Sequence, residues 1–139
     1  MVERKYIDVN VFVYWLVRHP EYGERSREWI RRIENGSRGE YITSALTLHE
    51  LAVVLSGLAA ATLKDPELIW AIVNAVTALP GLEIVPLEKS DHLKAVKLMK
   101  EYRLDYEDSL HLAVMLRMRV EKIVSNDTDF DRTPLKRIF

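Results

Sequence analysis

Short apolar segments of three to five residues recur along this chain, each followed by a longer stretch with helical spacing. That alternation constrains the fold more than any other feature. The strand-like segments are Tyr6-Ile7, closing at Asp8, then 41–43, 82–85, 122–124, and 136–139 as a last edge strand. Between them lie helical patterns at 11–17, at 21–34 with Trp29, Ile30 and Ile33 on one side, and from Ala45 to Ser56-Gly57. Further helices are expected at 66–79, with Asp65 as N-cap and Pro66 in the first helical position, from Ser90-Asp91 to Tyr102, and at 106–119. Asn35-Gly36 and Pro80-Gly81 supply the stops. Strands this short, alternating with helices, predict an α/β chain: a three-layer α/β/α sandwich around a short, mainly parallel sheet of four to five strands. With 139 residues and no linker or repeat, one domain spanning 1–139 is expected.

Composition narrows the chemistry. The net charge of -1 gives no global basic field, although 20 Lys and Arg can still gather on one rim to meet nucleic acid. Cysteine is absent, which removes disulfides, thiolate metal sites and cysteine nucleophiles, and suits a reducing cytoplasm. Residues 1–5 lead straight into a strand pattern, so no signal peptide is expected. The longest nearly apolar run, 45–63, contains His49 and Glu50 among Ala, Ser, Thr and Gly. It reads as a buried helix pair rather than a membrane span.

In a doubly wound sheet, ligands sit beyond the carboxyl ends of the strands, near the switch in strand order. Acids lie at those places. Asp8 ends the first strand, and Asp127 follows the strand at 122–124. Glu50 sits one to two turns into the helix after the second strand, and Asp108 in the first turns of the helix before the fourth. Each has a plain structural alternative: Asp8 or Asn10 as a helix cap, Asp108 favouring the helix dipole, Glu50 on a solvent stripe with His49. Together they are harder to set aside. Two carboxylates about 4 Å apart repel by roughly 4 kcal/mol at an effective dielectric near 20. A converging set therefore calls for a cation, and without cysteine the fitting one is a hard divalent ion with oxygen ligands, Mg²⁺ or Mn²⁺. Such an ion supports phosphate chemistry. The run IVSNDTDFD at 123–131 is not a calcium loop. Counting from Asp127, that loop needs Gly at 132 and Glu at 138, where the chain has Arg132 and Ile138.

Four segments, YIDVNV at 6–11, SALTLHEL at 44–51, LDYEDSLHLAVML at 104–116 and IVSNDTDF at 123–130, resemble the PIN domain family of metal-dependent ribonucleases. Within that family the chain is similar to the small VapC-type toxins of VapBC toxin–antitoxin pairs. The resemblance implies that Asp8, Glu50, Asp108 and Asp127 are catalytic and bind Mg²⁺ or Mn²⁺, with Asp129 an auxiliary metal acid. It also implies that Asn10 and Ser125 orient the acids or the water by hydrogen bonds. Asp105 and Glu107 flank Asp108, but Ser109, Leu112 and Ala113 place Asp108 in the family's pattern. The implied reaction is hydrolysis of an RNA phosphodiester by a water that Asp8 and Asp108 orient. The implied partners are an RNA substrate, a second copy of the chain in a homodimer, and a VapB-type antitoxin; no membrane partner is expected. A stand-alone RNA-processing nuclease, an inactive binding module on the same scaffold and a haloacid-dehalogenase-like phosphatase are the alternatives. The last wants a second Asp two positions after the first, where this chain has Asn10. His111 shares the helix face of Asp108 approximately, and is expected as a surface or core histidine, with a hydrogen bond near the site as the alternative. Trp15, Trp29 and Trp70 are expected in the core or at an interface.

Overall fold

A computed structural model of the chain describes residues 3–139; Met1 and Val2, where the expectation of no leader segment begins, lie outside the described residues. The chain runs β1 (Lys5–Ile7), α1 (Val9–Leu16), α2 (Gly23–Asn35), β2 (Tyr41–Ser44), α3 (Ala45–Leu58) and α4 (Pro66–Thr77). It continues through β3 (Leu82–Val85), α5 (Lys89–Tyr102), α6 (Tyr106–Arg117) and β4 (Lys122–Val124). A 3-10 turn (Thr128–Arg132) then leads into β5 (Lys136–Ile138).

The five strands form one sheet in the order β3-β2-β1-β4-β5, and every pairing is parallel. Lys5 stands opposite Tyr41 on one side and Lys122 on the other, so β1 is the central strand. Strand pleating sends alternate residues to opposite faces and builds two cores. Ile7 and Val124 join Val11, Phe12, Ile30, Ile33, Leu51 and Val76 in a core covered by α1 to α4. Tyr6, Ile42 and Ile123 join Leu98, Leu112, Met115 and Phe130 in the other, under α5 and α6. The expected three-layer α/β/α sandwich is therefore present, with all strands parallel.

Helix ends follow their capping chemistry. Asp65 accepts from Glu67 N at 3.1 Å and Leu68 N at 3.2 Å, with Pro66 beginning α4 as expected. Helix α1 begins two residues before its apolar pattern because Asp8 caps it. Helix α3 runs through Gly57, whose surroundings are open, and ends where Ala60 turns to a φ of 52°. Gly81 is fixed by close approach: an added Cβ would lie 2.3 Å from the Ile33 carbonyl, where the end of α2 meets the turn into β3. Trp29 lies in the core with Arg32 over its ring, and Trp15 packs partly buried against the same core. Trp70 departs from a core placement: it is 67% exposed on α4, whose buried side chains are Ile72 and Val76. No helix among the described residues is long and apolar enough to cross a membrane.

Candidate functional site

The strand order turns at β1: β2 and β3 lie to one side, β4 and β5 to the other. The crevice expected at such a switch lies beyond the carboxyl ends of β1 and β4, and the acids gather there.

Asp8 leaves β1 in an extended conformation, 4% exposed, and serves as cap and site residue together. Its Oδ1 accepts from Val9 N at 2.7 Å. Its Oδ2 accepts from Ser125 Oγ at 2.6 Å and from Asn10 Nδ2 at 3.2 Å. Asn10 also donates to Ser125 Oγ and accepts from Asn126 N, both at 3.2 Å, so it laces the start of α1 to the segment after β4. Ser125, fully buried, accepts from Asp127 N at 3.0 Å. Asn10 and Ser125 therefore both lie in hydrogen-bond contact with the Asp8 carboxylate. Burial pushes the Asp8 carboxyl above the ordinary range, against the opposing pull of nearby His111 and of its hydrogen bonds.

Asp127 caps the 3-10 turn by accepting from Asp129 N at 2.9 Å, which aims its carboxylate back over the strand ends. Asp105 caps α6 through Asp108 N at 2.8 Å, leaving the Asp108 side chain free to point elsewhere. It points to the crevice: one ligand oxygen each from Asp108, Asp127 and Asp129 lies within 4.8 Å of the others. Burial, then the charges of Asp105, Asp127 and Asp8, push the Asp108 carboxyl up to about 7. Asp129 is also held from outside by Arg132 Nη1 at 3.0 Å, whose guanidinium is in turn fixed on the carbonyls of Tyr102 and Arg103. Asp131 stands apart, exposed and paired with Arg137, whose hydrogen bond and charge hold it below the usual range.

Glu50 reaches the cluster from α3 and is close enough to Asp8 to raise it. Its Oε1 meets His111 Nε2 at 2.5 Å. Burial works to raise the Glu50 carboxyl, but the hydrogen bond and charge of His111 outweigh it, so Glu50 lies below the ordinary carboxylate range. The strain falls on its other neighbour. Contact with Glu50, then burial, pushes Glu107 up to about 7. Burial also disfavours charge on His111, yet Tyr6 and the carboxylates of Glu50 and Asp8 raise it well above the ordinary value. Among the described residues, the five expected acids have two cationic partners: Arg132 on Asp129 and His111 on Glu50.

Sequence reading thus located the acids, while it left His111 as a structural histidine and Glu107 as a flanking residue. The available signal was spacing. His111 is three residues after Asp108, one turn along the same helix.

The family profile described as PIN domain matches residues 5–136. Among solved structures, the chain is similar to VapBC2 from Rickettsia felis bound to a DNA fragment from their promoter, at 19% identity and TM-score 0.65, with 96% of each chain covered. It is similar to VapC20 from Mycobacterium tuberculosis, described as a sarcin-ricin loop cleaving toxin, at 12% identity and TM-score 0.72, covering 91% of this chain and 92% of that one. It is also similar to FitAcB from Neisseria gonorrhoeae, at 17% identity and TM-score 0.66, covering 97% and 96%. No curated protein sequence matches the chain.

Proposed function

From the premise that this chain belongs to the PIN domain family, we propose that it is a metal-dependent endoribonuclease and the toxin of a type II toxin–antitoxin pair. The observation that carries the reading is the acid cluster at the switch of the sheet, with ligand oxygens of Asp108, Asp127 and Asp129 within 4.8 Å of one another and Asp8 and Glu50 beside them. The donor set fits a hard divalent ion. It is all carboxylate oxygen, and the Asp108 carboxyl is driven to about 7 by burial and then by acidic neighbours, whose charge a cation would neutralise. Asp8, Glu50, Asp108 and Asp127 would hold Mg²⁺ or Mn²⁺, with Asp129 as the auxiliary acid. When bound, such an ion supplies a lowered pKa for water and charge neutralisation for a phosphoryl group.

The chain's own residues do the rest. Ser125 and Asn10 both donate to Oδ2 of Asp8 while Val9 N holds Oδ1, so the direction of the carboxylate is set before substrate arrives. Asp8 and Asp108 orient the attacking water and take up its proton as it adds to phosphorus in line with the leaving oxygen. Asn10 stands where a dehalogenase-like phosphatase needs its second acid, and it is committed to Asp8, Ser125 and Asn126.

The partners follow the same reading. One single domain meets an RNA substrate in the cytoplasm, pairs with a second copy, and is held by a VapB-type antitoxin. One solved structure of similar fold is described as a toxin-antitoxin complex from Klebsiella pneumoniae. This chain exposes the apolar side chains of Val53, Val54 and Leu58 on α3, Leu63 beyond it and Trp70 on α4, the surface on which this reading places the partners. The test is cleavage of labelled RNA by the purified chain with Mg²⁺ or Mn²⁺. Products are expected with the metal and none with chelator; equal cleavage in both would overturn the metal-dependent reading, and no cleavage in either would overturn the nuclease.

A further inference from the structure

His111 is 1% exposed, and both nitrogens of its ring are engaged. Nδ1 meets the Tyr6 hydroxyl at 2.6 Å, and that hydroxyl lies 2.9 Å from Ser44 Oγ. Nε2 meets Glu50 Oε1 at 2.5 Å. Tyr6 and Ser44 are fully buried, so the line Ser44–Tyr6–His111–Glu50 runs from the enclosed sheet to the edge of the acid cluster. It joins four elements: β2, β1, α6 and α3. The Tyr6 ring meets the imidazole edge-on, 5.6 Å between centroids, which removes the remaining rotation of His111.

A core histidine needs partners for its nitrogens, but it does not need one on a site carboxylate. An ionised carboxylate only accepts, so Nε2 carries the proton and donates. Glu50 is a flexible side chain between Asp8, whose charge opposes its own, and Glu107, which shares a hydrogen bond with it. His111 donates to its carboxylate from a fully enclosed ring, whereas Glu107, its other hydrogen-bond partner, is an acid pushed up to about 7 that loses the shared proton on ionising. We propose that His111 is the positioning residue for Glu50, holding one carboxylate oxygen in place through the Tyr6–Ser44 anchor so that the other is preset for the cation. The proposal rests on the metal-site reading above and adds the group that orders its Glu50 ligand.

Two substitutions separate positioning from packing. The amide of His111→Gln reaches about as far as Nε2 and keeps a donor for Glu50; that of His111→Asn reaches only the Nδ1 position. Mn²⁺ binding, read by paramagnetic resonance on the purified chain, is expected to weaken about 10- to 100-fold in His111→Asn. His111→Gln is expected to recover most of that loss. In RNA cleavage, the Mn²⁺ concentration for half-maximal rate should rise in the same order while KM for RNA stays constant. Equal losses in the two variants, or parent-like binding by His111→Asn, would overturn the proposal. The parent provides the decisive arm if neither variant folds: the slowly exchanging Nε2 proton of His111 should shift as Mg²⁺ is added, and an unmoved resonance in a metal-binding parent would refute positioning. A parent that binds neither Mg²⁺ nor Mn²⁺ would instead remove the metal site itself.

Discussion

Replacing Asp108 with Asn should stabilise the metal-free protein at neutral and alkaline pH while abolishing cleavage. The reason is in the cluster. Asp108 is partly buried beside Asp105, Asp127 and Asp8, and its carboxyl stands at about 7 rather than 3.8. Between those values the folded chain holds a proton that the unfolded chain has released. Stability therefore falls as pH rises through this window, and above it the whole penalty of a second ionised neighbour is present. A shift of this size corresponds nominally to about 4 kcal/mol. Asp108 is still reached by solvent, which cuts the figure by about half, to about 2 kcal/mol. For a domain of this length that is a Tm difference of about 6 °C. Calorimetry in chelator gives the measurement. From pH 5 to pH 8, which spans about two-thirds of that window, the parent should lose about 4 °C more than Asp108→Asn, so that the variant is the more stable protein at pH 8. Excess Mn²⁺ should restore the parent and leave the variant unmoved. An Asp108→Asn protein no more stable than the parent at pH 8 would refute the idea that these carboxylates are held together against their charge.

Asp8→Asn should cost at least about 100-fold in cleavage with little loss of stability, because Asn caps a helix about as well as Asp; thermal unfolding beside an RNA assay checks both halves. Gly81→Ala should destabilise by about 2–3 kcal/mol in urea unfolding, since its Cβ would press on the Ile33 carbonyl at 2.3 Å. Trp70→Asp should shift the chain from dimer to monomer in size exclusion with light scattering if α4 lies in the interface, with cleavage by the folded protein retained. Arg132→Ala should leave the fold near its parental stability, as the ion pair with Asp129 is half-exposed.

Much of this architecture was open to a reader of the chain alone. The strands at 82–85 and 122–124 were legible to the residue because each is an apolar run between hard stops. The end of α3 was not, since Gly57 is a poor helix former that nothing in its surroundings penalises. Trp70 carried an apolar pattern that could not say which side of α4 faces inward. The strand order was fixed by packing: two apolar faces had to be covered at once, by α1 to α4 and by α5 and α6.

The site divides in the same way. By itself the sequence determined which acids stand at strand ends and helix starts, because those positions follow from local signals: a strand closing at Asp8, the polar run Ser125 to Asp127, the cap at Asp105 that begins α6. Only the tertiary structure decided what each acid meets. It tied Asp129 to Arg132, set Asp131 apart on Arg137, and pressed Glu107 against Glu50. It also brought His111 onto Glu50 across 61 residues of chain. Capping and alternation are short-range and can be read along one dimension; hydrogen bonds between side chains of different elements depend on helices crossing a sheet, and no local pattern encodes that distance.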